Sequence, residues 1–156
     1  MKLAAIEINE GVDYSVKEML ELVYDVGQYQ VFLPWVKAVK IWDKNDYGFN
    51  AELLIGYKNF RMPFATKVCI SSENSQITTK LIENHTRGRG IWGRPMKELD
   101  CIWQFNDVNG KCNIDLQINY EFADPFLAAF LSNNMEKASQ KLISAFTNEA
   151  KLRYRS

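Results

Sequence analysis

The sequence predicts one α+β domain: a curved antiparallel sheet of six or seven strands, gripped by one long C-terminal helix, with two short helices near the N-terminus. Three observations carry this. Alternating apolar and polar residues run from about residue 36 to 122, broken only by turn signals. Residues 126–153 contain neither Gly nor Pro. The length of 156 residues fits a single domain, taken as 1–156, able to bury a sizeable core.

In chain order, "LAAIEI" (3–8) starts as a strand. "DYSVKEMLELVYDV" changes period: Val16, Met19, Leu20 and Val23 fall at helical spacing, Asp13 or Ser15 caps the start, and Gly27 stops it. "QYQVFLPW" is a short turn or second helix ended by Pro34, because a residue before proline is driven out of the helical region. "VKAVKIWDK" and "FNAELLIGYKNF" flank the "NDYG" turn, and "ATKVCISSE" and "QITTKLIENH" flank "ENS". "LDCIWQFNDV" and "CNIDLQINYEFA" flank "NG", the strongest hairpin signal in the chain. Ile114, Leu116, Ile118, Tyr120 and Phe122 alternate with Asp115, Gln117, Asn119 and Glu121, so one face of that strand is buried and the other wet. Asp124 is a cap and Pro125 suits the first helical position. The helix over about 125–153 would run ~43 Å at 1.5 Å per residue. Its stripe is Leu127, Phe130, Leu131, Met135, Ala138, Leu142, Ala145, Phe146 and Leu152. A curved sheet under such a helix leaves an interior space, where small apolar ligands bind.

Composition narrows the function classes. Hydrophobic residues are 47% and aromatics 13%, which excludes disorder. The formal net charge is zero, so attraction to nucleic acid or membrane must come from a local patch, and a dedicated nucleic-acid binder is disfavoured. Cys69, Cys101 and Cys112 are odd in number and lack CxxC spacing, which reads as buried thiols in a reducing compartment. The first apolar stretch is too short for a signal peptide, and no run approaches a membrane span. The expectation is a soluble cytoplasmic protein, with peripheral contact at the inner face of a membrane left open.

Chemistry-bearing motifs are few. His85 is the single histidine, which removes multi-histidine metal sites, and no GxSxG or Cys/His arrangement is present. Glu52, Glu83, Glu98 and Asp100 are carboxylates without a catalytic pattern. The aromatics Trp35, Trp42, Trp92, Trp103, Tyr57, Phe60, Phe64, Phe105, Phe122 and Phe130 either fill the interior or line a pocket in it. The segment "TRGRGIWGRPMK" (86–97) carries Arg87, Arg89, Arg94 and Lys97 around Trp92 with three glycines. It suits a lid or an anionic contact, lipid headgroup or RNA, as well as a plain solvated loop pinned by Trp92. Lys151, Arg153 and Arg155 suit a helix C-terminus for its own stability.

"VYDVGQYQVFLPWVKAVKI" resembles the signature of the coenzyme Q-binding START-like proteins, within the polyketide cyclase and lipid-transport superfamily. Tyr24, Asp25, Val26, Tyr29, Phe32, Leu33, Pro34 and Trp35 match its Y-D-[VL]-x-x-x-Y-x-x-F-[LV]-P-W run. "ELLIGYKNFRMPFATKV", "RPMKELDCIWQF", "INYEFADPFLAAFL" and "ISAFTNEAKLRY" are similar to later family stretches, so the likeness covers nearly the whole chain. Val36, Met96, Thr147 and Lys151 depart from the usual residues. The resemblance implies a helix-grip (START/Bet v 1-like) fold. It implies non-catalytic binding of ubiquinone or a related lipid quinone in the interior, in support of respiration and quinone synthesis, with no catalytic cofactor and no DNA partner. Candidate ligand contacts are Trp35 first, then Leu33, Tyr57, Phe60, Phe64, Trp103, Phe122 and Phe130, with Arg87, Arg89, Trp92 and Arg94 as lid or anionic contacts. The family also includes a bacterial ribosome-association toxin, which makes binding to the large ribosomal subunit the alternative. A cyclase-like activity is weaker still.

Overall fold

A reciprocal cap starts the first helix. In the computed structural model, which describes residues 4–57, 60–82, 96–122 and 135–154, Ser15 Oγ accepts from the Glu18 amide at 3.1 Å. Glu18 Oε1 accepts from the Ser15 amide at 2.9 Å. Helix α1 (Val16–Tyr24) buries Met19, Leu22 and Val23, whereas Val16 and Leu20 of the expected stripe are half-buried. It ends before Gly27, which sits in a 3-10 turn (Val26–Gln28) beside Ile41. Helix α2 (Tyr29–Phe32) is one turn long, and Leu33 leaves it at φ −103°, ψ 104°. The proline that follows dictates that extended backbone.

Seven strands form one sheet: β1 (Ala4–Val12), β2 (Val36–Asn45), β3 (Gly48–Tyr57), β4 (Phe60–Ser71), β5 (Gln76–Leu81), β6 (Met96–Val108) and β7 (Lys111–Phe122). Their order is β1-β7-β6-β5-β4-β3-β2, every pair antiparallel, so β2 to β7 meander and β1 closes on β7. The hairpin at Asn109-Gly110 has φ of 56° and 86°, the left-handed pair that matches strand twist. Strand β6 starts at Met96, three residues before the expected "LDC", so Lys97 lies on the strand, 3.9 Å from Glu121.

The C-terminal helix, α3 in its described part (Met135–Arg153), buries Phe146 and Ala150 against the sheet. Leu152 of the expected stripe is 74% exposed. It follows Phe146 by six residues, ~240° around the helix at 3.6 residues per turn, and so leaves the buried face. Ala138 is exposed as well. Expectations for 124–134, including the Asp124 cap, Pro125 and Phe130, lie outside the described residues. Arg153 bonds Asp25 at 3.0 Å and Glu149 at 2.9 Å and lies 5.8 Å over the Phe32 ring. That basic residue locks the helix end to the α1 C-cap, the structural reading of the cationic tail.

Candidate functional site: the inner face of the sheet

Strand alternation sends one set of side chains inward. On β3 to β7 the described inward set runs Phe49, Ala51, Leu53, Ile55; Met62, Phe64, Thr66, Val68, Ile70; Ile77, Thr79, Leu81; Leu99, Cys101, Trp103, Phe105; and Cys112 to Phe122 at even positions. Within this set there is no carboxylate, histidine, lysine or arginine. Its polar atoms are threonine and tyrosine hydroxyls, two thiols and one indole N–H. Thr66 Oγ1 donates to the Ala51 carbonyl at 3.1 Å, so that hydroxyl is already satisfied.

The face divides into two halves. One is closed by α1, α2 and α3. Trp103 stacks parallel to Phe105 with centroids 6.1 Å apart and meets Phe146 edge-on at 5.5 Å. Phe146 also meets Tyr29 and Phe32, each at 5.3 Å. The Tyr29 hydroxyl donates to the Val23 carbonyl, and burial pushes its pKa well up. The Trp103 side chain beside Cys101 partly offsets the effect of burial on that thiol. Burial raises the Cys101 thiol to about 12 and the Cys112 thiol to about 11. Both are neutral near pH 7, so neither is an activated nucleophile.

The other half is a separate apolar cluster of Met62, Met96, Tyr120 and Phe122. Ile6, Ile55, Phe64, Leu81, Leu99 and Ile118 pack against it while remaining only partly buried. Ile55 and Ile118 belong to both halves. Two methionines in one small cluster make an adaptable wall, since the unbranched thioether repacks easily.

The sequence-selected residues fall on both halves. Leu33 and Trp103 sit in the closed half. Phe64 and Phe122 sit in the part-covered half. Trp35 is half-buried against the closed half, and its carbonyl accepts from the Gly56 amide at 2.7 Å, one residue from Ile55 at the seam. Tyr57 and Phe60 are partners at the end of the β3–β4 hairpin. Phe130, His85, Glu83, Arg87, Arg89, Trp92 and Arg94 lie outside the described residues. Trp42, expected inside, is on the outer face, because its neighbour Ile41 turns inward toward Gly27. Met62, Met96, Tyr120, Leu81 and Leu99 were not singled out from sequence. Their signal was the period-two alternation that puts Met62 on the face of Phe64, Met96 opposite Phe122 and Leu99 opposite Tyr120.

On the outer face an open depression of about 470 Å³ lies over β1, β7 and β6, lined by Glu7, Asn9, Ile102, Gln104, Asp115 and Gln117. Asp115 accepts from Asn9 and from Asn106, the latter at 3.1 Å, so its polar groups bond one another. Among the described residues no set of three His, Cys, Asp or Glu is placed to hold a metal ion. No described helix is long and apolar enough to cross a membrane.

Known proteins share this architecture. The Zhui aromatase/cyclase from Streptomyces sp. R1128 superposes with a TM-score of 0.83 at 13% identity, covering 99% of this chain and 98% of that one. An 18 kDa protein from Caulobacter crescentus gives a TM-score of 0.76 at 25% identity, covering 98% and 99%. In sequence, the ribosome association toxin RatA of Pseudomonas aeruginosa is 26% identical over 142 residues, 90% of this chain and 91% of its own. The mitochondrial coenzyme Q-binding protein COQ10 of Drosophila melanogaster is 22% identical over 144 residues, 92% of this chain but 57% of that relative. The family model for polyketide cyclase/dehydrase and lipid transport matches residues 12–147. With its helix-grip fold and a family match over most of its length, this chain belongs to the polyketide cyclase/dehydrase and lipid transport family.

Proposed function

We propose that this protein holds a lipid quinone, or a related apolar ligand, against the Phe64–Phe122 half of the inner face and does no chemistry on it. The supporting observation is the split of that face. One half is closed by aromatic packing, and the other keeps Phe64, Leu81 and Leu99 partly uncovered around two methionines and Tyr120. An uncharged wall with a hydroxyl suits a ring with carbonyl acceptors on an apolar tail. Apart from exposed Asp107, opposite Cys112 at one end of β6, the described inward residues of β3–β7 offer no acid, base or activated thiol, which supports carriage over cyclisation. COQ10, named for binding coenzyme Q, aligns over nearly all of this chain. Trp35, Phe64 and Phe122 are the ligand contacts retained from the sequence, with Trp35 at the seam.

Purification from a quinone-making host, solvent extraction and mass spectrometry test this. Quinone should co-purify with the native protein. Leu81→Phe with Leu99→Phe should fill the part-covered half and abolish co-purification while thermal stability holds. Absence of any extractable lipid, or retention by the filled variant, would overturn the reading.

A second reading is association with the large ribosomal subunit. RatA matches along nearly the full length of both chains, and the sheet's outer face supplies a cationic surface. Co-sedimentation with large subunits, weakening steeply with salt, is the expected result.

A further inference from the structure

The outer face of β2 to β5 carries exposed lysines, of which Lys37 donates to the Pro34 carbonyl at 2.9 Å. Register sets one row across the sheet: Trp42 opposite Asn50, Asn50 opposite Lys67, Lys67 opposite Lys80, and Lys80 opposite Asp100. Lys67 and Lys80 are exposed and directly paired, and like charges in that position destabilise a sheet. Among the described residues, neither makes an ion pair. Trp42, half-buried, lies at the β2 end of this row.

A second cationic pair lies further along the same face. A Cβ on Gly56 would fall 2.7 Å from Lys37 Cγ and 2.9 Å from Arg61 Nη1. The bare glycine thus lets the Lys37 stem pass beside the Arg61 guanidinium, with Lys37 Nζ donating to the Pro34 carbonyl. Gly56 and Asn50 are six residues apart on β3, ~20 Å at ~3.3 Å per residue. Lys40 lies between the rows, opposite Glu52, and a second acid, Asp43, accepts from the Asn50 side chain at 3.5 Å at the β2 end of the first row.

We propose that this outer face of β2–β5 is a binding surface for single-stranded RNA. Lys67 with Lys80 and Lys37 with Arg61 would hold two phosphates, and Trp42 would stack on a base between strand edge and lysines. An open outer sheet face with a tryptophan among cations fits an unpaired strand. A membrane surface would want several inserting apolar side chains, and this row has Trp42 alone. The choice of RNA as the anion rests on the ribosome-association reading. The surface itself rests on register alone.

The test is fluorescence anisotropy with a labelled oligouridylate of about 12 nucleotides across a salt series. Two phosphate contacts should give a slope of log affinity against log salt of about −1.4, and Lys67→Gln with Lys80→Gln should halve it. Trp42→Ala should weaken binding roughly tenfold through lost stacking. The lysine double variant should melt close to the native protein, because it removes the Lys67–Lys80 like-charge pair along with the Lys80–Asp100 pair, so lost binding is not lost folding. Lys141→Gln, on α3, should change nothing. An unchanged slope in the double variant overturns the proposal. So does binding to mixed phosphatidylcholine–phosphatidylglycerol vesicles in place of RNA, which would mark a membrane surface. Native sedimentation with large subunits by the double variant would leave the ribosome reading standing and this surface refuted; if the wild-type protein neither sediments nor binds RNA, both fall.

Discussion

Replacing Phe146 with alanine should be among the costliest single changes in the molecule. Phe146 is 3% exposed and is the residue of α3 that meets Tyr29, Phe32 and Trp103 together. Truncating a buried phenylalanine costs ~3–5 kcal/mol from lost transfer and the cavity left behind. Three edge-on contacts, each worth ~0.5–1.5 kcal/mol beyond burial, place this site at the upper end of that range. The neighbours cannot collapse far into the gap, because Trp103 is held in a parallel stack against Phe105. A loss of ~5 kcal/mol lowers the melting temperature by ~10–20 °C in a domain of this size. Urea unfolding followed by tryptophan fluorescence and by far-ultraviolet circular dichroism would measure it. Ligand content per folded molecule should be unchanged, since the part-covered half is a separate cluster. A loss under ~1.5 kcal/mol would refute the view that this aromatic knot clamps helix to sheet.

Three further outcomes follow from local geometry. Ser15→Ala removes one half of the α1 capping box and should cost ~1 kcal/mol by urea unfolding, whereas Ser15→Gly costs only a few tenths. Gly110→Ala meets open space but must adopt φ +86°, so a loss of ~1 kcal/mol would be purely backbone strain, and no loss would contradict the turn geometry. The Cys101 and Cys112 thiols, at about 12 and about 11 against an ordinary 9.0, should resist alkylation in the folded protein at pH 8.5. Above pH 9 the unfolded chain loses these protons first, so stability should fall as pH rises from 9 toward 11–12, and Cys101→Ala with Cys112→Ala should flatten that fall.

Much of the fold was legible because its rules are local. Leu33-Pro34 announced the end of α2, Asn109-Gly110 announced a hairpin, and the alternation from Ile114 to Phe122 announced a strand with one dry face. The division of that dry face was not legible. Phe105, Trp103 and Phe64 look alike in sequence, and only the lie of α2 and α3 across the sheet separates the covered ones from Phe64. Trp42 was misplaced for a related reason. Strand β2 has register shifts at both ends, and counting alternation from Val36 through the first of them inverts the side on which each residue stands. Lys97 was read as loop because the glycines before it hide a strand that starts at Met96.

Composition hid the outer face for a different reason, which is arithmetic. A net charge of zero sums over surfaces that a partner never meets together. On β2 to β5 the outward residues include Lys37, Lys40, Arg61, Lys67 and Lys80 with Glu52. On β6, β7 and β1 they include Asp100, Asp115, Glu121 and Glu7, with Lys97 beside Glu121. The same sheet face is therefore a dipole, cationic toward its β2 edge and anionic toward β1, with the Lys80–Asp100 pair at the divide. An anionic polymer would be drawn to one side and repelled from the other, so it would cross the sheet in one place and along one direction. Orientation of that kind needs balanced charge: a uniformly basic face would bind more tightly and align less. Meanwhile the neighbouring residues Thr66, Val68, Thr79 and Leu81 serve the interior. The period of two lets one set of strands present an uncharged wall to the interior and a polarised one to solvent.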